Sequence, residues 1–177
     1  IPKKFLSLIS SNMSQAENIN LYINENQVIV EVGNDVFYSR VIDERFPDFE
    51  SVIPKDNNKE LIVNRLDLLS TVKRVSVLSN KTTRQIALNL TKDNIKITTE
   101  DNEKSSKGFE NIFGSFTGED LIIGYNAAYL KDILSHLTTD EVMIKLNSPI
   151  SAGLFFPKEQ LKDSDLTMLL MPIRLNN

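Results

Sequence analysis

The chain has no cysteine, no tryptophan, a single histidine, and only six glycines and six prolines among 177 residues. Without cysteine there is no disulfide framework, no thiolate metal site and no cysteine nucleophile, which fits a reducing compartment. The scattered glycines build neither a G-x-G-x-x-G nor a G-x-x-x-x-G-K-[ST] arrangement, which argues against nucleotide hydrolysis. The longest apolar runs, such as residues 166–173, are too short to span a bilayer, and no basic-then-apolar leader opens the chain. The expectation is a soluble, cytoplasmic protein with no membrane partner.

Catalytic chemistry is equally sparse. His136 adjoins Ser135 on a helical pattern, but neighbouring helix residues point about 100° apart and cannot act as a nucleophile and base pair. The acidic pairs Asp43 with Glu44 and Asp48 with Glu50 fall in the most polar connector, where carboxylates solvate a loop. Glu100, Asp101 and Glu103 lack the glycine and terminal glutamate of a calcium loop. No catalytic residue, metal or cofactor is predicted, and the chain reads as a non-enzyme.

What is present is repetition. Phe5, Leu6 and Ile9 form a helical stripe, as do Leu68, Leu69 and Val72, and again Tyr129, Leu130 and Ile133. Phe5, Leu68 and Tyr129 stand 63 and 61 positions apart, so one unit occurs three times. Each helix has a start signal: Pro2, Asn64 reinforced by Asp67, and Asn126. Strand patterns come after each helix, at 19–24, 27–32 and 36–42, then 85–91, 94–99 and 109–116, then 142–147, 152–156 and 166–172. Ile86, Leu88 and Leu90 alternate with Ala87, Asn89 and Thr91, the period of a strand with one buried face.

Short strands at 61–63 and 121–124 precede the second and third helices, with no counterpart before the first. Together with an opening Ile1 in place of Met, that predicts a fragment of a longer protein. The fold class expected is α+β, one helix on antiparallel strands per unit. Units of this kind need a partner to complete a core. The expected organisation is a half-domain over 1–47, a connector over 48–57 and a complete domain over 58–177.

The net charge is −4, so any nucleic-acid contact requires a local basic patch. Lys3 and Lys4, Lys73 and Arg74, and Lys131 all lie on the three helices, off the apolar stripes. Helices sharing one side would gather these cations on a common surface and bind phosphates without reading bases.

Three segments carry a family resemblance. Residues 43–54, DERFPDFESVIP, resemble the connector between the middle and last domains of the bacterial DNA polymerase III β-subunit family, the sliding clamps. Residues 124–130, GYNAAYL, are similar to the start of that family's last helix, and residues 169–175, LLMPIRL, to its C-terminal segment. The resemblance implies the DNA clamp fold, with helices inside and sheets outside, and a processivity role. The full-length homodimer would form a ring around duplex DNA, held without sequence preference, with the five cations as candidates for facing it.

The family also implies a peptide pocket near the C-terminus for the replicative polymerase, the clamp loader, repair polymerases and other clamp-motif proteins. Carried over by motif, its residues are Pro47, Ser51, Val52, Asn126, Tyr129, Leu169, Leu170, Met171, Pro172, Ile173 and Arg174. Flexible methionine and aliphatic side chains suit a site that accepts varied anchors. Pro172 is expected to end strand pairing and expose the residues after it. Val77 and Leu78 fall where the family has its dimer interface. Ser51 stands where a basic residue is frequent, Thr83 where an aromatic is found, and Asn176 and Asn177 extend past the usual terminal leucine. The competing readings are a stand-alone α+β peptide-binding module without DNA function and a hydrolase using the connector carboxylates.

Overall fold

A computed structural model describes residues 1–13 and 18–175, in two compact units, Ile1–Asp48 and Phe49–Asn177. In the first unit, helix α1 (Lys3–Asn12) packs on a three-stranded antiparallel sheet of β1 (Ile19–Ile23), β2 (Gln27–Val32) and β3 (Asp35–Arg40), in the order β1-β2-β3. Pro2 precedes the helix, and its carbonyl accepts the N–H groups of Phe5 and Leu6. Phe5 and Ile9 bury against Val28, Val30 and Val32, whose alternation along β2 points all three to the helix. Leu6, expected on the same stripe, is exposed: positions i and i+4 suffice to cover so narrow a sheet, and i+1 lies off that face. Every residue of β1 is exposed, and among the described residues β1 pairs only with β2.

Among its described residues the second unit has two α-helices and two antiparallel sheets. After the connector come β4 (Lys59–Asn64), α2 (Arg65–Val75), β5 (Gln85–Thr91), β6 (Asn94–Asp101), β7 (Ser106–Phe113) and β8 (Ser115–Thr117). The chain continues through β9 (Leu121–Asn126), α3 (Ala127–His136), β10 (Glu141–Leu146), β11 (Gly153–Pro157) and β12 (Met168–Leu170). One sheet runs β12-β11-β10-β4-β8 and the other β7-β6-β5-β9.

The strand leading into each helix therefore joins the other repeat's sheet. β4, which leads into α2, pairs along its whole length with β10, and β9, which leads into α3, pairs with β5. Leu61, Val63, Ile123 and Tyr125 on these exchanged strands are buried, so each repeat supplies part of its neighbour's core. The two helices pack on each other, α2 also against β6 and β7, over one continuous core that includes Leu68, Leu69, Val72, Ile86, Leu88 and Leu90.

Both internal helix starts are capped by side chains. Asn64 Oδ1 accepts the Asp67 N–H at 3.0 Å, and Asn126 Oδ1 accepts the Ala128 N–H at 2.9 Å. The buried stripe of α3 is Ala127, Leu130 and Leu134, while Ile133 is half-buried and Tyr129 is exposed. β6 extends through Asp101 and β7 starts at Ser106, so residues 102–105 form their hairpin loop.

Candidate functional site

The C-terminal segment passes from one sheet to the other. Leu169 and Leu170 pair with Leu154 and Gly153 on β11. Proline at 172 offers no N–H to continue that ladder. The next residue, Ile173, donates its N–H to the Gly124 carbonyl at 2.9 Å, forming a bridge to β9. The chain beyond Pro172 is thus not simply exposed: Ile173 is half-buried and held by main-chain pairing.

Two residues beyond Gly124, Asn126 caps α3 and donates its Nδ2 to the Thr83 carbonyl at 3.1 Å. Tyr129, one turn into α3, is 64% exposed. The carried-over residues Asn126, Tyr129, Pro172, Ile173 and Arg174 are thereby gathered around the start of α3, which also packs on β12. Leu170 is buried and Leu169 half-buried, so both belong partly to the core, whereas Met171 is 59% exposed and Arg174 is exposed. Ser51 and Val52 sit on a 3-10 turn, Glu50–Val52, with Val52 exposed. Pro47 belongs to the first unit and is exposed. Asn176 and Asn177 lie outside the described residues.

Of the five helix cations, Lys3 and Lys4 are exposed on α1. Lys73 and Arg74 occupy the last turn of α2, where the negative end of the helix dipole favours them. Lys131 on α3 reaches the same end, its Nζ 3.4 Å from Ser76 Oγ. Arg74 is not a free cation: its Nε donates to Glu110 Oε2 at 3.0 Å and its Nη2 to Thr71 Oγ1 at 3.0 Å. These hydrogen bonds hold the Glu110 carboxyl below its ordinary range and push the Arg74 guanidinium up. Sequence reading missed this pairing because Glu110 lies 36 positions away on an edge strand.

Val77 and Leu78 lie on a 3-10 turn, Ser76–Leu78, directly after α2. Val77 is 80% exposed. Leu78 leans on β7, its carbonyl accepting the Ser106 hydroxyl at 3.1 Å. His136 is exposed, with a ring nitrogen 2.8 Å from the Asp132 carbonyl. Among the described residues no helix is long and apolar enough to cross a membrane.

Residues 50–174 match the family described as DNA polymerase III beta subunit, C-terminal domain. The chain belongs to the sliding-clamp family. It is 32% identical to the beta sliding clamp of Haemophilus influenzae over 176 residues, 99% of this chain and 47% of that protein. With the Synechococcus elongatus beta sliding clamp it shares 31% identity over 162 residues, 91% of this chain and 42% of that protein. The clamp structure from Caulobacter crescentus superposes with a TM-score of 0.90 at 28% identity, over 99% of this chain and 46% of that one. The Bartonella birtlesii clamp, solved bound to griselimycin, gives 0.88 at 30%, over 99% and 46%. This clamp chain thus spans about half the length of the relatives it matches, and its α+β architecture is the clamp fold.

Proposed function

We propose that this chain is the C-terminal half of a processivity clamp, non-catalytic, whose full-length form encircles duplex DNA as a homodimer and tethers the replicative polymerase. On this reading residues 1–47 are the second half of the middle domain, 48–57 the connector and 58–177 the last domain. The observation that carries the proposal is the extent of the likeness, 99% of the chain at 32% identity, covering the α1 half-domain as well as the C-terminal segment. A stand-alone peptide module would need only the latter.

The peptide site is assigned to the carried-over residues around the α3 start, with one wall from outside this chain; polymerases, clamp loader and repair proteins are its ligands. Exposed Met171 and Tyr129 supply an adaptable apolar anchor. Lys3, Lys4, Lys73 and Lys131 are assigned to face DNA. Arg74, countered by Glu110, contributes less. Val77, exposed at the end of α2, is assigned with Leu78 to the contact that closes the ring. Weak, salt-sensitive phosphate contacts suffice in such a ring, because closure rather than affinity retains the protein.

Primer extension by the cognate polymerase on a long single-stranded template tests the reading. Full-length protein, loaded by its clamp loader, should lengthen the products of single binding events. Unchanged product lengths would contradict it.

A further inference from the structure

Where α2 ends and α3 begins, Ser76, Val77, Ser79, Lys81, Arg84, Ala127 and Lys131 line a cavity of about 250 Å³. Among the described residues, no carboxylate and no aromatic ring lines it. Among the described residues none of the three cations has an ion pair; the nearest polar partner is Ser76 Oγ, 3.4 Å from Lys131 Nζ. Three like charges around one small space repel one another unless an anion joins them.

Arg84 adds a second, independent observation. Its backbone stands at φ +50°, the left-handed region that a long side chain disfavours. It is held there from both sides: its N–H donates to the Asn80 carbonyl at 2.8 Å, and its carbonyl accepts the Ala127 N–H at 2.9 Å. Asn80 is anchored in turn, its Oδ1 accepting the N–H groups of Thr82 and Thr83 and its Nδ2 3.4 Å from the buried Asp101 carboxylate. A glycine would satisfy this backbone without strain, so the guanidinium there points to a role beyond the turn.

We propose that Lys81, Arg84 and Lys131 form a cradle for one phosphate group of a nucleic-acid strand. With no ring to stack a base and no acid to take a ribose hydroxyl, recognition stops at the phosphate and is independent of sequence. Lys73, one turn before Ser76 on α2 and exposed, extends the positive surface past the cavity, as successive phosphates of a strand require and a free ion does not. The inference deepens the DNA-binding reading above and rests on it, but it moves the weight from Arg74 to two loop residues.

The test is a titration of the 177-residue chain with a short fluorescein-labelled duplex at several salt concentrations, alongside inorganic phosphate followed by amide chemical shifts. Duplex should shift the amides of Ser79, Lys81, Arg84 and Lys131. Lys81→Ala, Lys131→Ala and Arg84→Gly should each weaken duplex binding several-fold and lower the slope of log affinity against log salt by about one. Arg84→Gly should do so with Tm unchanged or raised, since glycine takes the positive φ freely. Unaltered affinity and salt slope in all three variants would overturn the cradle. Shifts with inorganic phosphate but none with duplex would overturn the strand as its ligand. The titration uses an unclosed chain, so its failure leaves ring closure standing, and failure of ring closure leaves the titration unaffected.

Discussion

The Gly124 carbonyl accepts the Ile173 N–H at 2.9 Å, and a β-carbon on Gly124 would stand 2.6 Å from the Ile173 carbonyl oxygen. The C-terminal segment can lie on β9 only because residue 124 has no side chain. The same β-carbon would also meet Leu175 at 2.6 Å, so backbone and side chain are both displaced by one methyl group.

Gly124→Ala should therefore lift Ile173 off β9. The expected cost is about 1–3 kcal/mol of unfolding free energy, the usual range for overpacking. Chemical denaturation of the chain measures it. If the proposed peptide site is right, the same variant in the full-length protein should lose affinity for polymerase peptide, because the bridge sets where Met171 and Arg174 stand.

Tyr125 is fully buried with its hydroxyl lacking a partner among the described residues. Burial pushes the phenol pKa well above its ordinary value, so the group stays neutral at any working pH. Its ring meets Phe155 edge-on at 6.1 Å, and its hydroxyl crowds the position a β-carbon on Gly153 would take. Tyr125→Phe keeps the ring and removes an unsatisfied polar atom, so stability should hold or rise by about 1 kcal/mol. Gly153→Ala should destabilise, and less so when combined with Tyr125→Phe; a double-mutant cycle by denaturation reads the coupling.

The pairing of Arg74 with Glu110 carries a pH signature. Glu110 has its pKa lowered in the folded state, so its contribution is present above the unfolded value and is lost as pH falls through the folded one. Glu110→Gln should lower Tm slightly at pH 7, and the difference from the parent should close in acid. Arg74 is exposed and Glu110 partly so, so the effect is small and shrinks in high salt.

Much of the fold was legible in sequence wherever the cause is local. Asn64 and Asn126 cap the helices they precede because a side-chain amide reaches an N–H two or three residues on. Ile86, Leu88 and Leu90 face one core because strand period is two. The exchange of β4 and β9 between repeats was not legible, since their apolar faces specify burial but not the partner sheet. Leu6 and Tyr129 satisfied a helical stripe yet lie outside, because Phe5 and Ile9 on α1, and Ala127, Leu130 and Leu134 on α3, already cover the surface beneath. For the site, the segments around Asn126 and Met171 could be marked by motif, while Lys81 and Arg84 could not. Each is an isolated cation in a polar loop until packing brings it beside Lys131.

The exchange also makes a prediction for the first unit. β5 receives β9, and β10 receives β4, so by the same rule β1 should receive a strand from outside this chain. Its edge, unpaired among the described residues, and its exposed Leu21, Tyr22 and Ile23 are what such a strand would cover. Hydrogen exchange of the β1 amides should be fast at that edge in this chain and strongly protected in the full-length protein. Equal rates in the two would refute the pairing.

Retention on DNA of different topology tests the central claim most directly. Full-length protein loaded onto nicked circular plasmid should remain bound through gel filtration at moderate salt and be released when one restriction cut linearises the circle. Equal retention on circular and linear DNA would contradict encirclement.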